Sequence, residues 1–205
     1  MDEKVIQLSI LIPSIPSRFD KAIKLYNHCL KMVGKKRVEI LMLTDNKVCT
    51  IGEKHNQLKA AARGKYFMFI HDDDWLINIK EIYEATFNDV DVIDFKAKCR
   101  NENGSTYIVT QRLGNEVEHN TFNGKYLDCN RPPFPNCAWH NKFKKFQFPA
   151  INYGEDWVFI EQCLTEATTE HFIDKVLFKY NFNAQTTEAS TKSNPYWQNP
   201  NEGGN

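Results

Sequence analysis

Three aspartates stand in a row, Asp72, Asp73 and Asp74, directly after the apolar run YFMFI and His71. Adjacent carboxylates repel one another, and the flanking residues supply no cation. Closely spaced carboxylate oxygens suit hard divalent ions, which take one or two protein carboxylates and complete their shell with water and substrate phosphate. Two readings are open. The triplet holds a divalent ion beside a diphosphate, each neutralising the other, or it forms a cap or solvated loop.

A second acidic pair, Glu155 and Asp156, opens the pattern EDWVFIEQCLTEA. A carboxylate there is either a first-turn cap or a base able to take a proton from a hydroxyl, with the helix macrodipole keeping it ionised. His140, Lys142, Lys144 and Lys145 form a basic stretch. It reads as a solvated turn, or as a contact for an anionic acceptor or donor phosphates. Trp75 and Trp139 either pack or offer flat faces to a sugar or base. His55 reads as a helix-surface residue or a phosphate contact, and His171 as a structural residue or a late metal ligand.

The elements that must position these groups follow from hydrophobic patterning. Residues 5–12 are nearly all apolar, as in a strand buried on both faces, and Pro13 and Pro16 end it. Ser17 and Asp20 form a capping-box pattern for a helix running through Ala22, Ile23, Tyr26, Leu30 and Val33 to Gly34. Residues 38–43 make a second buried strand ending at Thr44, Asp45 and Asn46. EKHNQLKAAAR makes a second helix closing at Gly64, and YFMFI a third strand. This β-α-β-α-β order predicts a mostly parallel, Rossmann-like sheet flanked by helices, with ligands beyond the carboxyl ends of the strands. Asp45 and the triplet both fall at such ends.

The second half is antiparallel in character. DVIDFKAK and STYIVTQR flank NENG as a hairpin. Residues 120–150 carry no clean period, EDWVFIEQCLTEA is a helix, and HFIDKVLFKYNF is a strand. Residues 193–205 read as a flexible tail.

The bulk numbers bound the function. The 205 residues are 41% hydrophobic and 25% charged, ordinary for one globular domain. Lysine plus arginine and aspartate plus glutamate each number 26, so the whole chain has no basic nucleic-acid footprint. No apolar run approaches the roughly 20 residues of a membrane span. The N-terminus has no signal-peptide pattern, and the six cysteines contain no CxxC. We therefore expect reduced thiols and a cytoplasmic protein, bacterial or viral.

LSILIPSIPSR, EILMLTDN, IGEKHNQLKAAARGKYFMFIHDDDWL and YGEDWVFIEQCL occur in that order. Together they resemble the GT-A-fold glycosyltransferases of family 2, inverting enzymes that use nucleotide sugars. The resemblance covers residues 5–182, with a weak middle. It implies one glycosyltransferase domain over 1–192, with a nucleotide-sugar-binding half, 1–99, and an acceptor half, 100–192. It also implies that Pro13, Ser14 and Arg18 line the nucleotide loop, that Asp45 recognises uracil, and that Gly52, Lys54 and Asn56 belong to the donor site. The metal-binding DxD motif falls on HDDD, with Asp72 facing the ribose, Asp73 on Mn²⁺ or Mg²⁺, and Asp74 supporting. Family members usually carry Asp where this chain has His71. Asp156, beside Glu155, is then the catalytic base.

The implied partners are a nucleotide-diphosphate sugar donor, UDP-linked, and a glycan or other hydroxyl acceptor, with a modified DNA base as a further candidate through the lysines. Two rivals stand beside this reading. A nucleotidyltransferase normally has a Gly-rich, Arg-containing loop after the first strand, and PSIPSRFD has no glycine. A non-catalytic sugar-nucleotide-binding domain leaves Glu155 and Asp156 without a task.

Overall fold

The structure is a computed structural model describing residues 5–100, 104–123 and 125–181. The expected tail at 193–205 lies outside these residues. The first half follows the expected alternation. Strand β1 (Leu8–Ser14) is followed by a 3₁₀ turn (Pro16–Arg18) and helix α1 (Phe19–Val33). Next come β2 (Val38–Thr44), α2 (Ile51–Ala61) and β3 (Tyr66–Phe69). β1 lies parallel between β2 and β3.

β1 is apolar throughout because both its faces are covered. Leu8, Ile10 and Ile12 join one core cluster with Leu25 and Cys29 of α1, and Leu11 joins another with Leu58 of α2. β3 divides the same way: Tyr66 and Met68 face the α1 side, Phe67 and Phe69 the α2 side. Side chains of a strand alternate between faces, so a doubly covered strand reads as one apolar run.

Three local expectations are corrected. β1 runs through Pro13 to Ser14. Its ladder with β3 stops at Leu11↔Phe69, so its last residues are paired only with β2, where a proline is tolerated. Ser17 and Asp20 do not cap α1, because Ser17 is taken into the 3₁₀ turn and Arg18 occupies the N-cap without a side-chain bond. The capping box is on α2, between Thr50 and Glu53. β2 is only half-buried because it is the sheet's edge strand. On α1 the buried residues are Ala22, Leu25, Cys29 and Val33, while Leu30 is exposed.

The second half adds β4 (Trp75–Leu76), α3 (Lys80–Ala85), β5 (Val92–Arg100) and β6 (Thr106–Gln111). β5 and β6 pair antiparallel as the expected hairpin. The aperiodic segment contains β7 (Glu118–Phe122), β8 (Lys125–Arg131) and the short β9 (Ala138–His140), followed by a 3₁₀ turn (Asn141–Lys145). Helix α4 (Glu155–Leu164) and strand β10 (Glu170–Asn181) close the fold. The main path through the ten-stranded sheet is β2-β1-β3-β9-β5-β6-β8-β7. β9 joins the halves, pairing antiparallel with both β3 and β5. β10 runs parallel along β5 and antiparallel to β4. All six cysteines are free thiols. No helix among the described residues is long and apolar enough to cross a membrane.

Candidate active site

The carboxyl ends of β1, β2 and β3 converge. Ser14 Oγ, at the end of β1, donates to Asp72 Oδ2 at 2.7 Å. Arg18 reaches over from the 3₁₀ turn, and its Nη1 donates to Asp73 Oδ2 at 3.1 Å. Its Nε lies 3.1 Å from Asp72 Oδ1 but is misaligned, so both atoms stay without a hydrogen-bond partner. Arg18 is thus a cation for the triplet that the neighbouring sequence does not supply.

Beyond β2, Asp45 Oδ2 accepts the N–H groups of Val48, at 2.8 Å, and Cys49, at 3.1 Å. Its other oxygen pairs with the ammonium of buried Lys54, which also donates to the Ser14 carbonyl at 2.7 Å. Burial works to raise the Asp45 carboxyl, but Lys54 and the two amides hold it at about 2.

Asp74 is buried, and its Oδ1 accepts the Asn181 N–H at 3.1 Å, while Asn181 Nδ2 donates to the Asp73 carbonyl at 2.9 Å. Burial, then the charge of Asp73, pushes the Asp74 carboxyl well above the carboxylate range. Burial also raises Asp72, against the Ser14 hydroxyl and Arg18. A divalent cation would oppose both upward shifts. One ligand atom each from His71, Asp73 and Asp74 lies within 4.8 Å of the others. This set of two carboxylates and one imidazole, with the orphaned Asp72 oxygen beside it, suits a divalent metal.

Helix α2 carries a second line of contacts. Gly52, Asn56 and Lys59 recur at i, i+4 and i+7 and hold the loop leading into α4. The Gly52 N–H donates to the Ile151 carbonyl at 3.2 Å, and a Cβ there would sit 1.9 Å from the Pro149 oxygen. Asn56 Nδ2 donates to the Phe148 carbonyl at 2.8 Å, and its Oδ1 accepts the Phe148 N–H at 3.0 Å. Lys59 donates to the Phe146 carbonyl with its ammonium over the Phe148 and Phe159 rings, and burial lowers it to about 8. The loop ends at Gly154, whose φ of 78° lies in the left-handed region open to glycine, and this turn starts α4 at Glu155.

His55 lies between these lines. It is buried against Phe69 and Phe148, and its Nε2 is 3.1 Å from His71 Nε2. Its Nδ1 is 3.9 Å from Glu155 Oε1. Burial first, then the charges of His71, Lys54 and Lys59, hold His55 well below the imidazole range. Asp156 keeps part of its surface exposed, yet loss of water around its carboxyl raises it, against the Trp157 N–H and the charges of Arg131 and His71. Burial likewise raises the Tyr180 phenol, which senses Asp74, Arg131, Asp73 and Asp156 together. The start of α4 therefore shares its electrostatic surroundings with the triplet.

S. aureus TarS 1–349 in complex with UDP-GlcNAc superposes with a TM-score of 0.58 at 17% identity, over 86% of this chain and 59% of that one. The same TarS fragment in complex with UDP gives 0.55 at 16% identity, over 87% and 61%. The chain has the GT-A glycosyltransferase fold. It spans about three-fifths of the TarS 1–349 structures it matches. Neither a protein-family model nor a curated protein sequence matches it.

Within this GT-A frame, Ser14, Arg18, Asp45, Lys54 and the aspartate triplet are brought together. Pro13 stays in β1, paired with Leu43, and Gly52 and Asn56 are engaged by the loop before α4. His55, expected on the helix surface, is 1% exposed, because α2 turns it onto Phe69 and Phe148. Trp139 is core, with its indole N–H donating to the Phe134 carbonyl at 3.0 Å, and Trp75 stacks on His28. Lys142 pairs with Asp91, Lys145 with Glu166, and Lys144 donates to the Ala62 carbonyl, so the basic stretch is spent on internal partners. His171 contacts Asn88 at the end of β10 opposite Asn181. Sequence reading missed Arg131, Tyr180 and Asn181. Arg131 falls in the aperiodic segment, and the other two sit in an unremarkable strand.

Proposed function

We propose that the protein is an inverting glycosyltransferase that moves a sugar from a UDP-linked donor to the hydroxyl of a glycan or similar acceptor. The observation that carries this reading is the docking of the 146–154 loop on α2, which brings Glu155 Oε1 to 3.9 Å from His55 Nδ1, while His55 Nε2 lies 3.1 Å from His71 Nε2 at the head of the triplet. Ligands of such sheets bind beyond the strands' carboxyl ends. The UDP and UDP-GlcNAc complexes of TarS support a uridine nucleotide as the donor's handle.

In this reading Pro13, Ser14, Arg18, Asp45, Lys54 and Asp72 form the donor site. Gly52 and Asn56 serve it by seating the loop. Residues 1–99 bind the donor and residues 100–192 the acceptor. Asp73 and Asp74, with His71, hold Mn²⁺ or Mg²⁺, which neutralises diphosphate charge when bound. Asp156 takes the acceptor proton, and its raised affinity for a proton suits a base. The acceptor oxygen bonds to the anomeric carbon as the bond to the diphosphate oxygen breaks, and attack from the opposite face inverts the centre. Glu155 stands beside the base.

The test is UDP release from a panel of UDP-sugars with Mn²⁺, with and without glycan acceptors. Acceptor-dependent UDP release is expected. Pyrophosphate release when UTP and a sugar 1-phosphate are supplied instead would make the protein a nucleotidyltransferase, and donor binding without turnover a binding domain; either result discards this proposal.

A further inference from the structure

The triplet is preceded by an imidazole, and that imidazole is held from behind. His71 Nε2 faces His55 Nε2 at 3.1 Å, with the two rings stacked at 5.2 Å and 21°. His55 has little freedom, since Phe69 lies 4.5 Å away and Phe148 4.7 Å, centroid to centroid. Its Nδ1 is buried without a hydrogen-bond partner, 3.9 Å from Glu155 Oε1. Two facing Nε2 atoms bond only if one carries hydrogen and the other a lone pair. The Glu155 carboxylate beside His55 Nδ1 favours hydrogen on that nitrogen, leaving a lone pair on His55 Nε2. His71 then donates from Nε2 and keeps its Nδ1 lone pair for a cation. A metal-bound histidine is held in this way, with its other N–H given to a fixed acceptor.

We infer that His71 binds the divalent ion through Nδ1 as a nitrogen ligand, that His55 is the positioning residue fixing this orientation, and that the site in consequence prefers a transition ion such as Mn²⁺ over Mg²⁺. Imidazole is a poor ligand for Mg²⁺, which selects oxygen. The inference rests on the donor-site reading above but concerns the ligand's identity, not the reaction.

The experiment is pulsed electron paramagnetic resonance of Mn²⁺ bound to the intact chain, alone and with UDP, together with Mg²⁺ competition. Wild type is expected to show nitrogen-14 coupling from one imidazole. His71→Asp removes that coupling and lowers the Mn²⁺-over-Mg²⁺ preference about tenfold. His55→Phe, which fills the same space, weakens Mn²⁺ binding roughly tenfold, at the lower end of second-layer effects. His55→Gln, whose carbonyl can accept the His71 N–H, restores most of it. Mn²⁺ bound without nitrogen coupling would overturn this inference and leave the donor-site reading standing. No Mn²⁺ binding even with UDP would overturn both. Equal affinity of His55→Phe and wild type, with thermal melting showing both folded, would remove the role of His55.

Discussion

Asn56 closes both ends of its carboxamide on the backbone of Phe148, one donating and one accepting. A side chain of α2 thereby completes a backbone pairing for the loop that carries Glu155 and Asp156. Asn56→Ala leaves the Phe148 N–H and carbonyl unpaired, at roughly 1–3 kcal/mol. At about 2–4 °C per kcal/mol for a chain of this size, the melting temperature should drop by several degrees. Turnover should fall further than UDP affinity, because the loop positions Asp156, the proposed base, while Ser14, Asp45 and Lys54 stay in place. Calorimetry and UDP-release kinetics on one preparation check both.

Gly52→Ala should do more damage. Its Cβ would meet the Pro149 oxygen at 1.9 Å, and that oxygen is backbone, so the loop itself must shift. Loss of turnover with a lower melting temperature than Asn56→Ala is expected; a silent substitution would mean the loop is loosely held.

Asp73→Asn and Asp156→Asn should separate binding from transfer. The first removes a charge from the proposed metal set and should abolish Mn²⁺-dependent binding of UDP. The second should spare that binding and reduce transfer at least 100-fold, the lower range for a positioned proton acceptor. Isothermal titration with Mn²⁺ and UDP, beside acceptor-dependent UDP release, distinguishes them. Full turnover in Asp156→Asn removes it as base.

Asp94 predicts a pH effect unrelated to turnover. It is fully buried in β5, with its carboxyl against that of Glu170. Burial, then the Glu170 carboxylate beside it, pushes it up to about 9, although Arg112 pulls the other way. An unfolded aspartate titrates near 3.9, so between that pH and about 9 the folded chain binds the extra proton. Stability from this residue therefore falls as pH rises through that window. Asn mimics the protonated acid. Asp94→Asn should raise the melting temperature at pH 8 and change it little at pH 4, as thermal scans across pH would reveal.

Asp45 has the opposite sign. Its carboxyl is held at about 2, so its contribution is present above the unfolded value and lost as pH falls toward 2. Replacing Lys54 by Met removes the ammonium that holds it down. Acid unfolding followed by circular dichroism should then begin at a higher pH than in wild type.

The β-α-β-α-β half was legible because β1 and β3 are covered on both faces and leave unbroken apolar runs in the sequence. The strand ends bearing Asp45 and the triplet followed from that order. The capping of α1 was misread because Pro16 starts a 3₁₀ turn that absorbs Ser17. The middle was opaque for a different reason. β7 is exposed along its whole length, and β9 is a three-residue insert whose partners lie far off in sequence, so neither carries a period. Asn56 stood at an expected donor-site position, but no local pattern reveals that its partner is Phe148, 92 residues away. His55 looked like a surface residue because Phe69 of β3 and Phe148 of that distant loop, which bury it, are both remote from it in sequence.

Asn181 grips Asp73 and Asp74 across sequence separations of 108 and 107 residues. Closing so large a loop is entropically slow, and long-range pairings of this kind form late. The acidic corner is therefore finished only when β10 zips along β5. A nascent chain that has folded only its first three strands therefore lacks the Asn181 contacts that fix Asp73 and Asp74.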